Sequence, residues 1–252
     1  MRARGVAKRF RDGTEALAPI DLEVRDGEFV ALVGPSGCGK TTLLNLIAGL
    51  ARPSAGTLSW WGSPHPDADR SRRLAYVFQS PTLMPWADIA ANVRLPLDLA
   101  GAPGAEAERA VADALALVAL DGFAQHHPRE LSGGMQMRAS IARALVTRPA
   151  LMLMDEPFAA LDDFTRQRLD DELLALWRAR GFAVVFVTHN VAEAVYLSTR
   201  VVVMGPRPGR IVDEVAVEAP SPRSDDFRTS PGFAALARRV TRAVAAAAGD
   251  AR

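Results

Sequence analysis

Residues 31–50 read ALVGPSGCGKTTLLNLIAGL. The run Phe29–Val33 leading into the first glycine is continuously apolar. That is the pattern of a short strand buried on both faces of a parallel sheet. From Thr42 to Leu50 the apolar residues Leu43, Leu44, Leu46, Ile47 and Leu50 recur at helical spacing. Between strand and helix stand Gly34, Pro35, Ser36, Gly37, Cys38, Gly39, Lys40 and Thr41, a match to G-x-x-x-x-G-K-[ST] in the strand-then-helix context that the motif needs. Glycine allows the backbone angles that turn successive N–H groups inward. Those N–H groups and the positive end of the next helix make an anion site. The Lys40 ammonium suits β- and γ-phosphates, the Thr41 hydroxyl suits Mg2+, and Thr42 adds a phosphate contact. Four specified positions match by chance in about one per cent of chains this long. Cys38 reads as a small filler of the loop. All this points to a nucleotide's phosphates and no further, since kinases, GTPases, motors and transporter ATPases share such a loop. A GTPase would add a guanine-reading N-K-x-D, which the sequence lacks.

Working outward, Leu74–Phe78, Leu151–Met154, Val184–Val187 and Arg200–Met204 read as further buried strands, and helical patterns lie near 104–119, 133–147, 163–180 and 190–198. Alternating strands and helices argue for an α/β fold with a mainly parallel sheet. The segment DLEVRDGEFVALV predicts antiparallel strands turning at Asp26-Gly27, and SAGTLSWWGSP a further strand between turns. An antiparallel β subdomain is therefore expected beside the parallel core. Residues 85–147 show helical patterns and no strand, which predicts a helical insertion. The reading divides the chain into a main domain over 1–218 and a C-terminal helical tail over 219–252, peripheral and frayed at its end.

The 252 residues suffice for a sizeable interior, and 49% apolar with 23% charged is ordinary for a globular chain. A net charge of +1 offers no electrostatic footprint for nucleic acid. One cysteine excludes an internal disulfide. No apolar stretch reaches the ~18 residues of a membrane span, and none forms an N-terminal signal core.

Further motifs complete a site. ALMLMDEP, residues 150–157, is a strand ending in two carboxylates. Asp155 suits Mg2+, and Glu156, beyond the strand end, suits the role of general base for an attacking water. Without the phosphate loop the pair would read as a solvated acidic turn. VVFVTHN ends a strand at His189, where α/β ligand sites form and where an imidazole can donate to the γ-phosphate. Gln79 ends another strand and suits Mg2+ or the water. The apolar loop Pro81–Trp86 reads equally as a partner surface or as a buried corner. His126 and His127 read as surface residues. Finally, Ser132-Gly133-Gly134 opens a helix, a second helix start fit for an anion, with a capping hydroxyl.

These motifs, in this order, resemble the nucleotide-binding subunit of ABC transporters over about Val6 to Arg210. Residues 34–41 resemble the family's phosphate loop, Gln79 its Q-loop, LSGGMQ (131–136) its signature, Leu151–Glu156 its Walker B strand, Ala159–Asp162 its D-loop and His189 its switch histidine. Phe10 falls where the family stacks an aromatic ring on adenine. Met137 departs from the glutamine usual in close relatives. The resemblance implies a P-loop NTPase core that binds ATP with Mg2+. It also implies a head-to-tail homodimer, in which Ser132 and Gly134 of one protomer serve the other's ATP, with Gly133 and Asp162 also among the nucleotide-binding residues. A membrane permease and, indirectly, a substrate-binding protein are the implied partners. Together these set the protein peripherally at the cytoplasmic face of the inner (plasma) membrane, with no nucleic-acid partner. VFQSPTLMPWADIAANVRLPLDL and VVVMGPRPGRIV are similar to importer ATPases for nitrate, sulfonates and taurine. The competing reading is a soluble cassette acting on nucleic acid or ribosomes, which usually has paired cassettes or long coiled-coil insertions. Neither is present.

Overall fold

The computed structural model describes residues 1–66, 69, 72–219, 223 and 225–249. Pro220 and the end of the tail, expected to fray, lie outside these residues. Internal contacts divide the chain into two units, residues 1–71 with 183–252, and residues 72–182.

In the first unit, β1 (Arg2–Arg9) pairs antiparallel with both β2 (Glu15–Glu23) and β4 (Ala55–Ser59). Around β3 (Phe29–Val33) runs a second set of strands. Strand β3 pairs in parallel with β7 (Ala183–Val187) and β8 (Arg200–Met204), and β9 (Ile211–Ala216) adds antiparallel to β8. Every residue of β3 and β7 is buried, as their unbroken apolar runs require. The expected hairpin at Asp26-Gly27 does not form. The turn exists, closed by Glu28 N–H donating to Arg25 O at 3.2 Å, with Gly27 at φ 70°. It instead hands the chain from β2 to β3, and so from the antiparallel strands to the parallel ones. A strand buried on both faces prefers the interior of the parallel set to an edge beside β2. Arg200 joins the two sets: it ion-pairs with Glu28 at 2.8 Å and Glu214 at 2.5 Å, and donates to Glu23 O at 2.6 Å.

Helix α1 (Lys40–Ile47) buries Leu43, Leu44, Leu46 and Ile47 fully, and the Trp60 indole N–H caps its end by donating to Ile47 O at 2.9 Å. Helix α6 (Val191–Leu197) packs on β3 and β8, and after the short α7 (Asp225–Thr229) the tail helix α8 (Pro231–Gly249) packs on β8 and β9. Val240 of α8 is fully buried, in a cluster with Val201, Val203 and Val215. The tail is therefore part of the first unit's core and not a detached appendage.

The second unit holds β5 (Leu74–Val77) and β6 (Leu151–Asp155), paired in parallel. Its helices are α2 (Ile89–Leu99), α3 (Gly104–Leu117), α4 (Gly133–Leu145) and α5 (Asp163–Arg180). Residues 85–147 contain no strand, as their patterns predict. Among the described residues no helix is long and apolar enough to cross a membrane.

Candidate functional site

In the first unit the loop between β3 and α1 wraps on itself. Gly39 caps α1 at φ 101°, a backbone conformation that side chains rarely adopt and glycine takes freely, and a β-carbon there would crowd the Ala16 carbonyl at 3.0 Å. The buried Lys40 ammonium donates to Gly34 O at 2.9 Å and Pro35 O at 3.1 Å and lies 3.8 Å from Cys38 Sγ. Cys38 is buried, as a filler should be. Thr41 is exposed and Thr42 half-buried. In register with β3, β7 ends beside the loop: Leu32 pairs with Val187, and Thr188 N–H donates to Leu32 O at 3.2 Å. His189, next in chain, is exposed at that edge. Its turn is tied down. The Thr188 hydroxyl donates to the Glu193 carboxylate and accepts from Asn190 N–H at 3.0 Å.

Two features of this unit escaped sequence reading. The β8–β9 connection packs against the phosphate loop. Gly209 exchanges hydrogen bonds with Ala16 O and Ala18 N–H, each at 2.9 Å, and a β-carbon there would overlap the Cys38 carbonyl. From the same connection Arg207 donates to Gly37 O at 3.4 Å. The sequence signal was the R-P-G-R run, whose glycine reads alone as an ordinary turn. Phe10 lies on a tight loop closed by its own N–H donating to Thr14 O at 2.9 Å. Its ring is 47% exposed, so it is not a core residue, and the Lys8 ammonium sits 5.4 Å from its centroid.

In the second unit the parallel pairing of Val77 with Met154 brings Gln79 and the Asp155–Glu156 pair off the same edge. Gln79 is exposed and Asp155 buried. The Tyr76 hydroxyl donates to Asp155 Oδ2 at 3.4 Å. Burial, and then the Asp155 charge, push that phenol above its ordinary range. Glu156 takes φ 46°, in the left-handed region. A non-glycine residue there stores about 1–3 kcal/mol of strain, the kind of cost that gathers at functional positions. A hydroxyl at Thr41 in the first unit, and an amide and a carboxylate oxygen at Gln79 and Asp155 in the second, are each hard donors of the chemical type that Mg2+ takes.

Ser132 caps α4, its hydroxyl accepting from Met135 N–H at 3.3 Å. A hollow of about 260 Å³ opens beside it, lined by Gly134, Arg138, Thr165 and Arg168 among others. Arg138 pairs with Glu172 at 2.7 Å, and Arg168 approaches the same carboxylate at 3.4 Å. Burial raises the Glu172 carboxyl against the pull of both guanidiniums, and burial lowers Arg138. Asp162 caps α5 by accepting from Thr165 N–H at 3.0 Å and the Thr165 hydroxyl at 2.7 Å, bonds that lower its pKa.

A family model described as ABC transporter matches residues 17–159. The chain belongs to the ABC transporter family. It is an ATP-binding cassette, and it hydrolyses ATP. It is 45% identical over 218 residues to an aliphatic sulfonates import ATP-binding protein of Xanthomonas axonopodis, covering 86% of this chain and 85% of that one. It is 44% identical over 207 residues to a taurine import ATP-binding protein of Pseudomonas entomophila, covering 81% and 78%. Among solved structures it is similar to an ATP-binding cassette in a dimeric post-hydrolysis state with ADP and Pi. There the TM-score is 0.76 at 32% identity, over 86% of this chain and 99% of that one.

Against this family the departure at residue 137 has a physical explanation. The cassette buries Met137 to 3% exposure, so a long apolar side chain fills the position without a polar partner. The loop Pro81–Trp86 is held by two residues that the sequence left unremarked. The fully buried Asn92 accepts from Met84 N–H at 2.6 Å and donates to the Met84, Ala87 and Asp88 carbonyls. Arg143 donates to Pro81 O and Thr82 O, each at 2.8 Å. Trp86 stands 77% exposed on this pinned loop.

Proposed function

We propose that this cassette is the energising subunit of an importer for a small anionic or zwitterionic solute of the sulfonate, taurine or nitrate kind. It works as a head-to-tail homodimer on the cytoplasmic face of the plasma membrane. The observation that carries the reading is that one chain has two loop-to-helix starts of phosphate-binding type, residues 34–41 before α1 and residues 132–134 before α4. One nucleotide needs only one such cradle. Two are accounted for if each ATP lies between the first cradle of one protomer and the second cradle of the other.

In that arrangement the N–H groups of Gly37, Gly39 and Lys40 grip the β-phosphate, and the Lys40 ammonium exchanges its two carbonyl partners for phosphate oxygens. Phe10 stacks on the adenine, and Pro35, Ser36, Cys38 and Thr42 shape the cradle. Thr41, Gln79 and Asp155 would hold Mg2+, which when bound neutralises phosphate charge. Glu156 takes a proton from water as the water oxygen attacks the γ-phosphorus and the bond to the bridging oxygen breaks. His189 orients the γ-phosphate. Ser132, Gly133 and Gly134 serve the nucleotide held by the other protomer, and Asp162 keeps α5 in register beside them. The pinned loop ending at Trp86 transmits closure to a permease, and a separate binding protein selects the solute. The relatives named for taurine and sulfonate import support this choice of solute.

The test is Glu156→Gln. A positioned base contributes about 10²–10⁴-fold in rate, so turnover should fall by that factor while ATP still binds. With ATP the variant should run as a dimer on light-scattering chromatography, and adding Ser132→Arg should return it to a monomer. A fully active Glu156→Gln protein, or a monomer with ATP bound, overturns the reading.

A further inference from the structure

The second unit contains a cavity of about 220 Å³ that none of the motif residues lines. Its floor is apolar, made by Ala114, Leu145, Val146 and Phe182, all buried, with Leu117 beside them. Two arginines, Arg148 and Arg180, and one carboxylate, Asp113, also line it and are exposed. Among the described residues neither guanidinium has a hydrogen bond or ion pair, unlike Arg138 and Arg143 in the same unit.

The backbone at Arg148 adds a second observation. It stands at φ 50°, in the left-handed region, immediately before Pro149. A residue before proline is pushed toward extended backbone, and asparagine or glycine would hold such a turn at lower cost. The turn is held by its own backbone, with Arg148 N–H donating to Leu145 O at 2.8 Å directly after α4. Here it brings an unpartnered guanidinium to the rim of an apolar hollow.

We propose that this cavity is a binding site for a small amphiphilic monoanion, a carboxylate or sulfonate on a short apolar body. The apolar floor takes the body, and Arg148 and Arg180 take the head group through charge-assisted bonds. Asp113 on the same lining repels a second negative charge, so phosphate and polyphosphates are disfavoured. The volume lies below the ~300 Å³ at which pockets for drug-sized ligands begin, which limits the body to a few carbons. The ligand bridges α3 and the turn between α4 and β6, the strand that carries Asp155 and Glu156.

The test is an NMR-detected titration of the full chain with hexanoate, hexane-1-sulfonate, hexan-1-ol and inorganic phosphate. Both organic anions should bind saturably, with shifts centred on Leu117, Val146 and Phe182. Hexanol should bind more weakly by more than about tenfold, the cost of a lost bond to a charged group, and phosphate should not bind there. Arg148→Gln/Arg180→Gln should weaken hexanoate by more than about tenfold, and Leu117→Trp, which fills the cavity and keeps both arginines, should abolish binding. Variant folding is checked by the same spectra. Absence of saturable binding by either anion, equal affinity for hexanol, or unchanged hexanoate affinity in the double-arginine variant overturns the proposal.

Discussion

At Glu156 the chain accepts a left-handed backbone for a residue with a full side chain, and the sequence anticipated only its place after a strand. Its carboxylate type and position were readable because β6 is a local pattern. The twist that aims it was not, because nothing in DEP demands a positive φ. Gly209 shows the same limit. As a letter it marks a turn, while its requirement comes from Cys38, 171 positions earlier in the chain (209 − 38). Gly209→Ala should therefore distort the phosphate loop as well as the β8–β9 connection. The overlap should cost about 1–3 kcal/mol in stability and weaken ATP affinity, read by denaturant titration and by a fluorescent ATP analogue. Wild-type values for both would show that the close approach is not needed.

Elements came through the sequence better than their connections did. Strands β3, β6, β7 and β8 and helices α3 to α6 fall where period and composition put them. The hairpin at Asp26-Gly27 did not form, because a turn signal says that the chain reverses and not which sheet receives it. The clamp on residues 81–86 was illegible for a related reason: Arg143 stands 61 residues from Thr82. Asn92→Ala removes the partner of three carbonyls and one N–H, and should cost about 3 kcal/mol by urea unfolding. It should lower co-purification with a permease more than ATP affinity, and Trp86→Ala should lose the permease with stability unchanged. Loss of neither would remove the loop from the proposed interface.

Asp162 makes a pH prediction for α5. Its folded pKa is depressed, first by the Thr165 N–H and then by the Thr165 hydroxyl. A depressed carboxylate stabilises the fold above its unfolded pKa, and that contribution is lost as pH falls through the lower folded value. Stability measured by urea midpoint should thus fall across the acid side of the usual aspartate range. Asp162→Asn, which still caps, should lack that component. Superimposable profiles would mean that the cap carries no charge dependence.

On the scale of the whole molecule, the two loop-to-helix starts were legible in the sequence, and the fold puts the first directly after β3 and caps the second with the Ser132 hydroxyl. The tail helix was legible as a helix but not as core, since the burial of Val240 depends on β8 and β9. What no single chain displays is how two cradles serve one nucleotide, and that is the claim on which the proposed mechanism rests. It is tested most directly by mixing two inactive proteins, Lys40→Ala and Ser132→Arg. If each ATP lies between the first cradle of one protomer and the second of its partner, a mixed dimer has one site with both defects and one with neither. ATP hydrolysis should then return on mixing. If both cradles of one protomer serve the same nucleotide, every site in the mixture has a defect, and the mixture should stay as inactive as its parts.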